Sequence, residues 1–427
     1  MSIRTVDLGA HDRAPRPGAW RYTASFLVVV VLGSARAQAE PLNRLIPGLL
    51  GGVLATSISP RDVTDAQRPL VADRFRGLSA ALAAARSQAP IPSASGAFGF
   101  VLEPEFDAYV RVAQSLGPSF AERAQTIGKG AVTWSISYSR ADFDSLEGDS
   151  LRHLRSSQPA LSESFLQQLP PGDQARARDN SLDTEIDMRL SFDLMFLAAA
   201  YGLTDSIDVS AALSINHVRM RGRAQAVITD PNDDGGVYFS ATQKGVVVGG
   251  TTPECEEDFL CARDEFSGSA FGTGDIFLRG KWRFLSTEWA DLAAAAVTTL
   301  PTGNADDFLG FHDATFTPWL IASKTYGRVA PHLNMGYALR SGNDVSQAQW
   351  IAGADLRATD WLTLAADFLG YHDDKRDGIN DDIVQSAIGA KLNPFGQWVL
   401  GTNFQFPLNR DGVRADVIYS AQLEYTF

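Results

Sequence analysis

Two short stretches of this chain set imidazole beside carboxylate, His312-Asp313 and His372-Asp373-Asp374. Such pairs can activate water or a nucleophile when a base is held within hydrogen-bond reach. Both stretches are polar and acidic, the setting in which His and Asp also meet as solvated loop residues. The six histidines of the whole chain leave little for a Ser/His site. A third candidate, Asp230-Pro231-Asn232-Asp233-Asp234-Gly235, begins like a calcium loop, with oxygen ligands at alternate positions and a Gly at the turn. Ala241 stands where the bidentate Glu should be, so the segment reads as a solvated Asp/Gly turn. Cys255 and Cys261 lie close together in an acidic stretch. In an oxidising compartment they would close a small local disulfide; in a reducing one they would be two free thiols in a loop. Metal-ligand spacing, a phosphate loop and a nucleotide fingerprint are absent from the sequence, so no cofactor is expected.

The elements that must carry these residues are strands. From Val413 to Phe427 the chain alternates, with Val413, Ala415, Val417, Tyr419, Ala421, Leu423, Tyr425 and Phe427 on one face and Arg414, Asp416, Ile418, Ser420, Gln422, Glu424 and Thr426 on the other. A strand with one apolar and one wet face wants that order. In an outer membrane the apolar face meets lipid, the polar face meets a lumen, and closure removes the open edge. A terminal Tyr425 and Phe427 at the periplasmic rim would serve as a signal for the barrel assembly machinery.

Composition agrees. The chain has 427 residues, 20% charged, with 37 Gly and a mean hydropathy of −0.09, and no run of eighteen apolar residues exists beyond the amino terminus, which argues against helical spans. Net charge is −13, and residues 1–39 hold five Arg against two Asp, so their removal leaves about −16 and argues against nucleic acid. Arg13, Arg16 and Arg21 precede an apolar core from Ala24 to Leu32, and Ala37-Gln38-Ala39 supplies a small-residue cleavage pattern. Residues 1–39 are therefore expected to be a secretory signal peptide, directing the chain to the outer membrane of a Gram-negative bacterium.

Residues 40–130 do not follow a barrel pattern. They combine a Gly-broken apolar stretch, an Ala-rich helical stretch over 65–86, a Pro/Ser linker and a short hairpin over 98–113, and are expected to form a plug or periplasmic segment. From residue 131 to 427, twelve segments reach the nine to eleven residues or so that a tilted membrane strand needs: 131–144, 184–201, 207–223, 273–286, 290–302, 315–325, 330–341, 348–358, 361–372, 382–393, 397–408 and 413–427. Links after even-numbered segments are short and those after odd-numbered segments mostly longer and acidic, as expected for periplasmic turns and outer loops. The fold expected is all-β, a transmembrane antiparallel barrel of twelve strands, or fourteen if the 98–113 hairpin contributes two.

Alternation assigns lumen-facing charges to Glu185, Asp187, Arg189 and Asp193, to Arg279, Lys281 and Arg283, and to Asp355, Asp367, Lys391, Asp416 and Glu424. Ile186 through Phe196 at every second position would then face lipid. The lumen charges could select solutes or pair across the wall and fill a narrow interior. Trp289, Trp361, Trp398, Tyr201 and Tyr425 fall near the short-turn ends, as an interfacial girdle requires.

Several short motifs resemble one family. Phe120-Ala121-Glu122-Arg123-Ala124 with Ile127-Gly128-Lys129-Gly130, Phe143-Asp144-Ser145-Leu146-Glu147-Gly148, Tyr201-Gly202-Leu203-Thr204-Asp205, and Leu300-Pro301-Thr302-Gly303 with Asp307-Phe308-Leu309-Gly310 are similar to outer-membrane transporters labelled for the MetA pathway of phenol degradation. That family is distantly like the FadL channels, whose barrels have fourteen strands. The match covers roughly residues 90–427. It implies uptake of small hydrophobic or aromatic solutes; the barrel itself is expected to sit in outer-membrane lipid, as a monomer by default, and to pass or bind its solute without chemistry. Two alternatives stay open: a surface-facing hydrolase using His312 and His372, and a structural or adhesive barrel.

Overall fold

The fold is taken from a computed structural model of the full chain, which describes residues 41–43, 45, 100–103, 108–111, 116–161, 163–232, 237–240, 245–248, 261–341, 346–374 and 382–427. Residues 1–39, where a signal peptide is expected, most of 40–95, Cys255 and Asp233-Asp234 lie outside them, as does the side chain of Cys261.

Twelve strands form the wall: β1 Val132–Leu146, β2 Ser181–Thr204, β3 Ile207–Thr229, β4 Cys261–Ser286, β5 Asp291–Leu300, β6 Thr315–Ser323, β7 Val329–Arg340, β8 Gln347–Arg357, β9 Leu362–Asp373, β10 Asp382–Phe395, β11 Trp398–Pro407 and β12 Val413–Thr426. Each pairs antiparallel with its neighbours in sequence. β12 pairs with β1 from Val413↔Leu146 down to Thr426↔Thr133, so the sheet closes. Closure leaves no strand edge to satisfy in hydrocarbon, where an unpaired N–H or C=O costs several kcal/mol or so. The hairpin of Phe100–Glu103 and Ala108–Arg111 pairs only with itself, so it adds nothing to the wall. The barrel therefore has twelve strands, and it is an outer-membrane barrel.

Its exterior is apolar. Ile136, Leu197, Leu278, Leu320, Met335, Leu364, Phe368, Ile388, Leu400 and Tyr419 all stand exposed on the outer surface. Around the short-turn end, Trp289, Trp361 and Tyr201 are exposed. There Trp398 packs on Tyr425 (centroids 4.6 Å) and Tyr425 on Phe427 (4.7 Å). The Phe427 N–H donates to Val132 O at 2.8 Å, extending the β12–β1 seam to the last residue.

The strands are unequal. β2, β3 and β4 have 24, 23 and 26 residues, more than twice what a tilted crossing needs, so they stand as a tall wall above the membrane band at the long-loop end. This height corrects the β2 faces. Ile186, Met188, Leu190, Phe192, Leu194 and Phe196 point inward into the main core cluster, while Asp187 and Arg189 are exposed on the outside, where Glu185 and Asp193 also point. Outside the wall at that height is water, so polar side chains face out and apolar ones pack inward, against Leu42, Phe308 and Leu309. Lower down, the lipid set is Met195, Leu197, Ala199 and Tyr201. Residues 194–200 are apolar on both faces, so alternation could not tell them apart.

Asp416 is the other correction. The β12–β1 register shifts at Arg414/Ala415 and again before Ile418, and this bulge turns Asp416 out to solvent while Arg414, Ser420, Gln422 and Glu424 remain buried inside. The final strand is thus interrupted near its outer end, not unbroken as its alternation suggests.

Met335→Arg would put a cation on the lipid face and should cost about 2–4 kcal/mol if it lies near the midplane, read as a lower urea midpoint for the heat-modifiable form. Deleting Phe427 removes a seam hydrogen bond and the ring on Tyr425. A reduced fraction of heat-modifiable barrel in isolated outer membranes is the expected outcome.

Candidate solute chamber

The barrel interior is built around one extended segment, residues 116–130, which lies across the short-turn end of the lumen. No strand pairs with it, so its backbone N–H groups need other acceptors. The wall supplies them. Leu116 N–H donates to Thr363 Oγ1 at 2.9 Å, Phe120 N–H to Asp367 Oδ2 at 3.2 Å, Ala124 N–H to Ser323 Oγ at 2.9 Å and Ile127 N–H to Asp208 Oδ1 at 3.3 Å. With its amide turned to suit both partners, Asn334 accepts from Glu122 N–H at 2.7 Å and donates to Glu122 O at 3.0 Å. Lys281 Nζ donates back to Gln125 O at 2.7 Å and Arg123 O at 3.3 Å.

Side chains of the segment complete the attachment. Arg123 reaches Asp355 at 2.5 Å, Glu122 pairs with Arg279, and Gln125 Nε2 donates to Asp291 at 2.7 Å. Glycines set the close approaches: a Cβ on Gly202 would collide with Gly128 O, and one on Gly389 with the Asn403 side chain and Ser119 Oγ. Ala121 and Ala124 are fully buried, small enough for the chain to lie against the wall.

His332, which sequence reading passed over, joins this network. Its Nε2 lies 2.6 Å from Asp367 Oδ1 and its Nδ1 3.7 Å from Asp355 Oδ1, with all three side chains buried. β7, β8 and β9 run side by side, and His332 reaches Asp367 over Gly353, where any Cβ would meet both side chains. The available signal was the position of His332 on the inward set of 330–341, together with Glu122-Arg123, a charged pair in an otherwise apolar stretch.

The charges assigned to the lumen are thereby sorted. Lys281, Asp355, Asp367, Lys391 and Glu424 are buried inside. Lys281 also pairs with Asp208 at 3.2 Å and Lys391 with Glu424 at 3.1 Å. Arg279 faces the interior beside Glu122, and Arg283 donates to Asp205 O at 3.0 Å near the short-turn rim. Glu185, Asp187, Arg189, Asp193 and Asp416 are not brought to the lumen. Buried ion pairs are costly to desolvate, and the cost is met only where geometry is good and further hydrogen bonds are made.

Above the segment the interior changes character. A cavity of about 230 Å³ has Phe120 and Glu122 as its floor. Leu194, Phe196, Phe277, Trp319, Ile321, Ile351 and Tyr371 form its walls, and Phe311 with Arg340 its upper side. The Trp319 indole lies flat on the wall because Gly336 beneath it has no Cβ. The upper side belongs to the β5–β6 loop, which Asp275 holds: it accepts from Gly303 N–H at 3.0 Å and Phe311 N–H at 2.9 Å. Asn216 donates to Leu309 O at 2.7 Å, and Phe308 adopts φ 57°. Gly274, Gly303 and Gly310 touch backbone to backbone. Arg340 stacks over the Phe311 ring at 5.7 Å.

His312 and Asp313 follow Phe311 on the β5–β6 loop, with His312 exposed; the 372–374 and 230–232 stretches do not line this chamber. His372 pairs with Asp382 on the neighbouring strand, while Asp373 accepts from Gln347 and Asp374 from Tyr337. No hydroxyl or thiol donates to His372 among the described residues. Asp230 accepts from Asn232 N–H at 3.1 Å, an Asx turn.

No family model matches the chain, and no curated protein matches it. Solved structures do. An outer membrane channel from Pseudomonas putida F1 is 14% identical, with 71% of this chain and 98% of that one covered and a TM-score of 0.43. The toluene transporter TbuX of Ralstonia pickettii is 11% identical over 73% and 93%, with a TM-score of 0.34. A Pseudomonas aeruginosa FadL homologue is 10% identical over 70% and 90%, with a TM-score of 0.29.

Asp355→Ala leaves Arg123 without this buried partner and removes one of the two carboxylates beside His332. It should destabilise the barrel by about 3–5 kcal/mol, measured by urea titration of the folded band against Glu185→Ala on the outer face, which should change it little.

Proposed function

We propose that the protein is an outer-membrane channel for small, largely apolar solutes, aromatic ones included, and that it works as a monomer without chemistry. The observation that carries this reading is the chamber itself, a partly enclosed room with largely aromatic and aliphatic walls inside a barrel whose lower lumen is dense with paired charges. An apolar cavity of about 150 Å³ is enough to take up benzene, so this one accommodates a one- or two-ring compound. Most of the wall is Phe, Trp, Leu and Ile, with Ser210, Thr299, Thr317, Asn334 and Gln349 set among them, which favours an aromatic solute carrying one or two polar groups over an ion. The Glu122–Arg279 pair at the floor offers a place for one polar substituent.

The membership suggested by the Phe120 to Ala124 and Leu300 to Gly310 motifs, that of the phenol-degradation channels, fits this reading. In the structure the first motif is the chamber floor and the second its upper loop. TbuX, to which the chain is similar, is a toluene transporter, and toluene belongs to the same class of cargo. Residues 116–130 act as the plug: a solute held above Phe120 leaves toward the periplasm when part of this segment shifts.

A cysteine pair at Ala124 and Ser323 tests the plug, since the Ala124 N–H already lies 2.9 Å from the Ser323 hydroxyl. In proteoliposomes, entry of phenol or toluene should fall at least several-fold when the pair is oxidised and return on reduction, while the unsubstituted protein ignores both treatments. Equal entry in the two redox states would refute movement of the segment, and faster entry of a monosaccharide than of toluene would refute an apolar cargo.

A further inference from the structure

On the outside of the tall wall, the apolar band ends abruptly. Ascending β3, the outward set reads Val209, Ala211, Leu213 and Ile215, then His217, Arg219 and Arg221; ascending β2 it reads Tyr201, Ala199, Leu197 and Met195, then Asp193, Ser191 and Arg189. Nine residues from Ile207 to Ile215 cover most of the band of about 25 Å that such barrels present to lipid. The arginines therefore stand at the depth of the outer-leaflet headgroups.

Register makes this patch unusual. Arg189 lies directly opposite Arg221, which lies opposite Ser267; one row below, Ser191 lies opposite Arg219, which lies opposite Ser269. Like charges directly across a sheet destabilise it. Arg219 is matched by Asp193 at 2.6 Å, and the same carboxylate takes Arg140 at 3.4 Å and the Tyr138 hydroxyl at 2.5 Å. The next row up is balanced, with Asp187 opposite Arg223 and Glu265 3.8 Å from Arg223. Arg189 and Arg221 are both exposed, and neither meets a carboxylate among the described residues. The surplus positive charge is thus confined to one depth. Just beneath it Phe271 is 73% exposed, edge-on to His217 at 6.1 Å.

We propose that Arg189, Arg219 and Arg221, with the hydroxyls of Ser191, Ser267 and Ser269, bind a phosphate group of the phosphorylated glycolipid that forms the outer leaflet, with Phe271 against its acyl chains. Guanidinium groups recognise phosphate through paired hydrogen bonds, and an anion between Arg189 and Arg221 turns a repulsion into a bridge. A lipid at this place pins the tall β2–β4 wall to the membrane surface.

The test uses full-length protein purified from outer membranes and native mass spectrometry in detergent, with synthetic lipid A carrying two phosphates as the probe. The parent protein should retain it. Arg189→Gln/Arg221→Gln should hold it at least ten-fold more weakly while keeping its heat-modifiable band. Ser191→Asp, which sets a carboxylate among the arginines, should weaken retention without removing a cation. Arg328→Gln, at the opposite rim, should change nothing. Dephosphorylated lipid A should bind no better than to the double variant. Equal retention by parent and both variants would overturn the proposal. So would equal binding of dephosphorylated lipid A, or full competition by millimolar inorganic phosphate or by phosphatidylglycerol, which would mark a generic anion site.

Discussion

In hydrocarbon, every backbone amide must find its partner inside the protein, and this structure answers that demand twice. The twelve strands answer it by closing β12 onto β1, so that within the membrane band no strand is left with an open edge. The segment over 116–130 answers it differently, because an extended chain crossing a lumen has no sister strand. Its donors are taken by Thr363, Asp367, Ser323 and Asp208, and Asn334 imitates a peptide group for Glu122. The acidic lower lumen is therefore first a device for holding a peptide.

That placement divides the interior. Where the segment lies, charges are buried in pairs: Arg123 with Asp355, Lys281 with Asp208, Lys391 with Glu424. Above it the wall has only itself to cover, and Phe196, Phe277, Trp319 and Ile351 leave a room instead of a packed core. Gly336 and Gly353 serve the two regions by the same means. One lets the Trp319 ring lie flat against the wall, and the other lets His332 reach Asp367 across an intervening strand.

The tall wall of β2, β3 and β4 shows that a strand can change its surroundings along its length. In the lower half its outer face meets lipid and must be apolar. In the upper half the outer face meets water and headgroups, and the apolar face turns inward onto Leu42, Phe308 and Leu309. Ile186 through Phe196 and Glu185 through Asp193 follow one unbroken alternation, yet the outside of the barrel differs at the two ends of it.

The sequence by itself determined the barrel, because a period of two with short turns alternating against long loops has one closed solution in a membrane, and the twelve segments coincide with the twelve strands, although β3 runs six residues beyond its segment and β4 begins twelve residues before its own. It also singled out Lys281, Asp355, Asp367, Lys391 and Glu424, whose charges sit on the polar face of otherwise apolar strands. Only the tertiary structure decided which way β2 faces, since its middle is apolar on both sides, and that Asp416 leaves the lumen, since a bulge adds a residue that no alternation announces. The site was legible in still smaller part. His332, Glu122 and Arg123 come from positions far apart in the chain, and nothing local in 116–130 says that it will lie against β7, β8 and β9. Alternation records the face of a side chain; what stands opposite that face depends on the height and curvature of the finished barrel.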